Sequence, residues 1–459
     1  MTTMEKRQKP YGELYPLLIA LAMPIIIQNL ISNSLVMVDT VMISKLGDAA
    51  VAAVGIGGRL QFIFVLVIYG FYSGAGIFIA QYNGARRYDK IRMPMALQLS
   101  IGFLGAMLFS MIAIFWGEQY VRIFSKDPEV IELGAIYLRY LAIGFVPGAI
   151  GYAFVVALRS VKDPKFPMFT SIVAISVNTL LNYALIFGHF GLPKLGVKGA
   201  AIATTCARLI EFMMMIYTVY FGSRGLLKVH FADISKIERA FFKKYVQTSW
   251  PIIANEAIWG LGTVMYSLAY SKLGTAPFAA TQRAQIINDI MLVASFGMAS
   301  SVGTILGNKL GEGDRETAIR YSRKIMQLSV VTGLLTGGVL FLISPLVPKI
   351  FGVSGAQARS IVSILRVRAV ANCFITFNWT NVTGILRSGG DTVFALLIDV
   401  LPMWLIGIPL AMIGATVLGW RIEMVVMATF ADEMVKFVIG VPRALQNKWA
   451  NVLVEGRKG

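Results

Sequence analysis

Residues 17–47 read LLIALAMPIIIQNLISNSLVMVDTVMISKLG, an apolar run with a single ionisable group, Asp39, before it closes on Ser44-Lys45-Leu46-Gly47. As a helix, Leu17–Ser44 is long enough to cross a hydrocarbon core of about 30 Å. Barrel strands alternate over about ten residues, and this run does not alternate. Pro24 removes one backbone hydrogen bond and permits a bend in the helix.

Working outward, similar stretches recur as far as Gly440: Val51–Tyr82, Pro94–Trp116, Gly134–Leu158, Met168–Gly188, Ala200–Phe221, Tyr245–Ser271, Phe278–Leu306, Met326–Ile343, Ser360–Leu386, Val393–Leu418 and Met424–Gly440. With the first, they make twelve. The 459 residues are 56% apolar and only 14% charged, against about a quarter charged in a soluble protein. The predicted fold is therefore an all-α polytopic membrane protein of about 12 transmembrane helices. Two cysteines and two histidines are too few for a disulfide framework or a histidine-rich metal centre.

A formal net charge of +18 would suggest nucleic acid on a soluble protein, but here the charges follow the loops. With the N-terminus inside, 26 Lys and Arg fall in inner segments and 9 in outer ones. Short loops rich in Lys and Arg stay in the cytoplasm, so both termini are expected there and the chain in the cell membrane. The first apolar run exceeds a signal-peptide core, so it is expected to be retained. Cys206 and Cys373 fall inside spans and read as small buried hydrophobes.

Sliding the chain against itself by 227 positions aligns Pro24-Ile25-Ile26 with Pro251-Ile252-Ile253, Ser44-Lys45-Leu46-Gly47 with Ser271-Lys272-Leu273-Gly274, Gly70 with Gly297, and Gly84 with Gly311. One further residue of slip aligns Leu158-Arg159-Ser160 with Leu386-Arg387-Ser388 and Asp163 with Asp391. The halves are six-helix repeats. An even number of crossings makes them parallel, with a pseudo-axis along the membrane normal. The expected organisation is an N-terminal bundle (1–221), a cytoplasmic linker (222–244), a C-terminal bundle (245–443) and a cytoplasmic tail (444–459). Two parallel bundles around a central cleft can rock to open it to either side, which suits a carrier.

These marks resemble the multidrug and toxic compound extrusion (MATE) family of cation-coupled exporters, of bacterial type. The likeness is carried by Pro24, Val38-Asp39-Thr40, the two Ser-Lys-Leu-Gly turns, Gly84 with its repeat partner, and Leu386-Arg387-Ser388-Gly389-Gly390-Asp391. It spans nearly the whole chain.

An ionisable side chain at mid-membrane costs at least about 2.5–3.5 kcal/mol, so each one needs a partner, a wet cavity or a function. Asp39 sits late in the first helix, in its outer half. Asn178 and Asn182, spaced i, i+4, share a face of the fifth helix, and Thr204 lies at comparable depth on the sixth. In the resembled family these four positions form a cation or proton site. A desolvated carboxylate can bind a proton, and oxygen ligands at Asp39, Asn178 and Asn182 could instead hold Na+. The structural alternative is that Asp39 satisfies amides between helices and that the Asn pair is interhelical glue.

Glu256 stands near the middle of the seventh helix. The resemblance implies cation or substrate handling there, although its repeat partner is Asn29 and that of Asp39 is Tyr266. Some family members carry an acid on the tenth helix where this chain has Thr376 or a near neighbour. Asp289, Met37, Tyr152, Trp259 and Tyr266 are candidates for lining a substrate cavity: methionine is adaptable and an aromatic face holds an organic cation. Packing is their alternative role. Arg208 and Glu211, i, i+3, are expected to pair; Asp399 is a further candidate; Asp432 and Glu433 read equally well as a helix contact.

No Walker loop, zinc motif or nucleophile elbow is found, and no cofactor is expected. The reading is a non-enzymatic antiporter, a monomer, that exports amphipathic, often cationic organic compounds in exchange for H+ or Na+, with no nucleic-acid partner. A flippase for lipid-linked precursors is the nearest rival. A membrane-embedded transferase would need a catalytic centre that the isolated His189 and His230 do not supply.

Overall fold

The computed structural model of the chain describes residues 11–222 and 224–454, and within them every side chain but those of residues 35–37 and 231. Lys6, Arg7, Lys9, Arg457, Lys458 and the side chain of Met37 lie outside the described residues. Among the described residues there are helices and no strands.

The helical passages are α1 (Leu14–Ser44), α2 (Asp48–Gly84), α3 (Tyr88–Phe115), α4 (Pro128–Ser160), α5 (Lys165–Phe187), α6 (Gly196–Tyr220), α7 (Arg239–Ser271), α8 (Thr275–Gly311), α9 (Arg315–Ile343), α10 (Gly355–Leu386) and α11 (Thr392–Thr416). α12 comes in two pieces, Ile422–Ala428 and Ala431–Leu445. Ten of these passages are long and apolar enough to cross a membrane unaided. α7 falls short because polar residues such as Gln247, Asn255 and Glu256 interrupt it, and α12 because it breaks at Thr429-Phe430. Helices are the natural form here, since each satisfies its own backbone where no water is at hand. Leu104, Phe115, Leu335, Leu342 and Val417 are exposed, as an apolar surface facing lipid requires.

The repeat marks acquire physical reasons. The Ser-Lys-Leu-Gly stretches are tight turns after α1 and α7, with Gly47 at φ +106° and Gly274 at φ +101°, a region open to glycine at little cost. A Cβ on Gly70 would lie 2.9 Å from the Ile253 backbone, and one on Gly297 would lie 2.5 Å from the Ile26 side chain. The glycine of each half thus receives the Pro-Ile-Ile segment of the other. Asp163 accepts from Arg224 Nε at 2.6 Å, and that guanidinium lies over the Phe166 ring at 4.3 Å. Its counterpart Asp391 accepts two bonds from Arg443, at 2.8 and 3.0 Å, and Arg443 lies over Phe394 at 4.5 Å.

The chain packs as two units. One comprises Ile27–Asn83 and Arg87–Glu256, around a core that includes Phe64, Tyr72, Tyr137 and Phe145. The other takes the chain up to Ile26, Gly84–Arg86 and everything from Ala257, with cores around Ile305, Leu386 and Trp449 and around Ile364 and Val425. Between α6 and α7, the Asp233 carboxylate accepts the His230 backbone N–H at 2.9 Å, a bond that holds its pKa below the ordinary carboxylate value.

Candidate cation site

Four of the residues singled out from the sequence meet in the first unit. Asn182 Nδ2 donates to Asp39 Oδ1 at 2.7 Å and to Asn178 Oδ1 at 3.1 Å. Asn178 Nδ2 in turn donates to Thr204 Oγ1 at 3.4 Å, and Thr204 gives its hydroxyl proton to the Ala200 carbonyl. The i, i+4 spacing on α5 places both amides side by side, with α1 on one flank and α6 on the other. Both Asn residues are buried, while Asp39 and Thr204 are half-buried. Tyr137 of α4 lies within electrostatic reach of the Asp39 carboxylate.

Asn182 Oδ1 is buried without a hydrogen-bond donor, so an unmatched acceptor sits on the same amide that donates to Asp39. Such an acceptor is costly unless something positive or donating meets it. Among the described residues no group of three or more acidic, histidine or cysteine side chains is disposed around a metal ion. A cation at Asp39 would rest on one carboxylate and neutral amide and hydroxyl oxygens.

The other candidates have surroundings of their own. Glu256 is half-buried in the same unit and within electrostatic reach of Tyr152, whose ring centroid is 5.9 Å from that of Tyr72. Trp259 is half-buried on α7 in the second unit. Tyr266 donates to the Thr429 carbonyl at 3.4 Å. Asp289 accepts from Gln285 and feels the charge of Arg368. Thr376 shares a 2.7 Å hydrogen bond with Ser295. Arg208 and Glu211 pair at 3.3 Å.

Two networks were read only in part from the sequence. In the first unit Arg159 Nη2 donates to Gln28 Oε1 at 2.6 Å, Gln28 Nε2 to Ser171 Oγ at 2.6 Å, and Ser171 Oγ to Glu211 Oε1 at 2.8 Å. Neutral residues such as Gln28 and Ser171 carry too small a burial penalty to announce themselves. In the second unit the buried Lys436 joins Asp399, Asp432 and Glu433. Its i, i+3 and i, i+4 spacing from the two acids of α12 was the available signal.

A chain of apolar helices that sets a half-buried carboxylate among amides, with a duplicated half, defines a polytopic membrane transporter. The chain belongs to the MatE family, whose model matches residues 24–184 and 251–413 and so finds both repeats. That family comprises ion-coupled carriers of small organic molecules rather than enzymes. The chain is 23% identical over 445 residues to the uncharacterized transporter YisQ of Bacillus subtilis, covering 96% of each chain. It is 24% identical over 400 residues to the probable multidrug resistance protein NorM of Thermotoga maritima, covering 86% of this chain and 84% of that one. Among solved structures, a MOP superfamily transporter from Pyrococcus furiosus superposes with a TM-score of 0.86 at 18% identity over 98% of both chains. The Vibrio cholerae MATE transporter VcmN in its bent form gives a TM-score of 0.83 at 18% identity over 97% of this chain and 100% of that one.

Proposed function

We propose that this multidrug transporter is a secondary antiporter that exports amphipathic, often cationic organic compounds from the cytoplasm by alternating access, driven by inward flow of a cation through Asp39. The observation that carries this reading is the hydrogen-bonded set Asp39–Asn182–Asn178–Thr204 with its unmatched Asn182 Oδ1. A cation there neutralises a carboxylate that the membrane interior penalises. If the neutralised state favours the shape that releases substrate, cation and substrate weaken each other's binding by the same factor, as linkage requires. The gradient then sets the direction of transport.

The proton is our choice of coupling ion, because Asp39 stands among neutral amides and no described residue sets a second carboxylate beside it to build up a metal-ligand set. Replacing sodium with choline at fixed pH should leave substrate uptake into inverted vesicles almost unchanged. Asp39→Asn should abolish gradient-driven efflux while the protein stays folded and membrane-inserted; undiminished efflux by that variant would overturn the proposal. A lipid-linked precursor flippase is not favoured, since its pyrophosphate substrates call for cations where this chain places Asp39 and Glu256.

A further inference from the structure

The second unit holds a buried charged cluster that the scheme above leaves without a task. Lys436, only 2% exposed, lies 3.0 Å from Asp399 Oδ1, 3.2 Å from Asp432 Oδ2 and 3.0 Å from Glu433 Oε1. An ammonium has three N–H donors, and this arrangement spends all of them. Glu433 Oε2 accepts a further bond from Asn378 Nδ2 at 2.7 Å. Asp432 Oδ1 receives none, although the residue is just 2% exposed.

One turn beyond Lys436 on α12, a Cβ on Gly440 would meet Asn381 Nδ2 at 2.7 Å, so the Asn381 amide is directed at this face of the helix. Asn381 is 1% exposed, and neither of its polar atoms has a partner. The backbone is irregular on three sides of the cluster. π-helical turns occupy Thr380–Leu386 in α10 and Met403–Gly407 in α11, and α12 breaks at Thr429-Phe430. Tyr266 donates to the Thr429 carbonyl, and Tyr270 shares a hydrogen bond with its hydroxyl. Broken helices and π-bulges within a membrane concentrate at sites where ions or substrates are handled.

Charge arithmetic points to the species the cluster can accept. Three carboxylates and one ammonium sum to −2 when all are ionised. The helix start at Ala431 offsets about half a charge. Among the described residues, nearby titratable and charged groups include Tyr266 and Tyr270 on α7, with Arg368 of α10 and Asp289 of α8 beyond them. A metal ion is disfavoured, because Lys436 Nζ already occupies the centre of the three carboxylates.

We propose that Asp432 is a second proton site, distinct from Asp39: its Oδ1 takes up and releases a proton while Lys436 remains the fixed countercharge for Asp399 and Glu433. The carrier would then hold one titrating carboxyl in each unit. This extends the antiporter reading, but its test needs neither gradient nor substrate, so either can fail alone.

The test is infrared spectroscopy of lipid-reconstituted protein, following the protonated-carboxyl C=O stretch as pH is varied. Asp39→Asn should retain a titrating band, and adding Asp432→Asn should remove it. A band absent from Asp39→Asn, or one that survives Asp432→Asn and disappears with Glu433→Gln, overturns the proposal. An arm free of substitution covers the case in which the double variant does not fold. Dicyclohexylcarbodiimide, which attacks protonated carboxyls in apolar surroundings, should modify Asp432 of the native protein, less so as pH rises, as read by peptide mass mapping. Modification confined to Asp39, Asp399 or Glu433 contradicts it.

Discussion

Asn182 does two things with one amide: Nδ2 holds the Asp39 carboxylate, and Oδ1 faces the same buried space without a donor. A hydrogen bond to a charged group is worth about 1.5–3 kcal/mol, or roughly tenfold to hundredfold in an equilibrium. Asn182→Ala should therefore reduce efflux at fixed gradient by about tenfold or more at equal protein level. Thr204→Val is a gentler cut, since Thr204 reaches the network only through the 3.4 Å bond to Asn178. Its efflux should fall by about threefold, the low end of what a neutral hydrogen bond supplies, because the bond is long. Initial rates in inverted vesicles with a fluorescent organic cation distinguish the two. A Thr204→Val defect as deep as that of Asn182→Ala would mean that the chain of donors acts as one unit. The cluster was legible in the sequence because helical rise fixes depth and i, i+4 spacing fixes a face. The Lys436 cluster was legible only in part. Spacing gives Lys436 with Asp432 and Glu433, but the register of α11 against α12, which brings in Asp399, follows no sequence period.

At the scale of helices, the repeat was readable while its cause was not. Identity at Gly70 and Gly84 marks a constraint, and only packing shows that a neighbouring backbone fills the space of a Cβ. At Gly84 that Cβ would fall on the Asn308 carbonyl oxygen. Gly84→Ala must separate two helices, and overpacking of this kind costs about 1–3 kcal/mol. Gly58, within α2, has nothing within 4 Å of its would-be Cβ. Gly58→Ala should be neutral or gain up to about 1 kcal/mol from helix propensity. The monodisperse gel-filtration peak that survives heating in detergent should fall for Gly84→Ala and hold or rise for Gly58→Ala. Equal loss in both would show that α2 tolerates no side chain at either place. The break in α12 left no such mark, because Thr429-Phe430 contains neither proline nor glycine; two tyrosines from α7 compensate it, and that partnership is tertiary.

Across the whole molecule, each half ties its fifth helix to its last with a charged or polar bond, Ser171 to Glu211 in one and Asp399 to Lys436 in the other. Each also ends in an Asp–Arg clamp over a phenylalanine ring, Asp163–Arg224 and Asp391–Arg443. The halves therefore share a plan while differing in charge, and direction of transport depends on which way that plan is inserted. From the distribution of Lys and Arg, the linker between α6 and α7 is expected inside and the segment before α4 outside. Lys126 and Lys236 are both exposed and are expected on opposite faces, while Cys206 and Cys373 are half-buried and can be replaced by serine. In that background an impermeant maleimide added to intact cells should label Lys126→Cys and spare Lys236→Cys, with the pattern reversed in inverted vesicles. The outcome bears on more than topology, because Asp39 lies five residues before the end of α1 at Ser44. With the expected insertion that end opens outward, and an inward cation gradient reaches the carboxylate first. The opposite labelling would place Asp39 nearer the cytoplasm, where the same gradient could not load it from outside, and export driven through this residue would have to be abandoned.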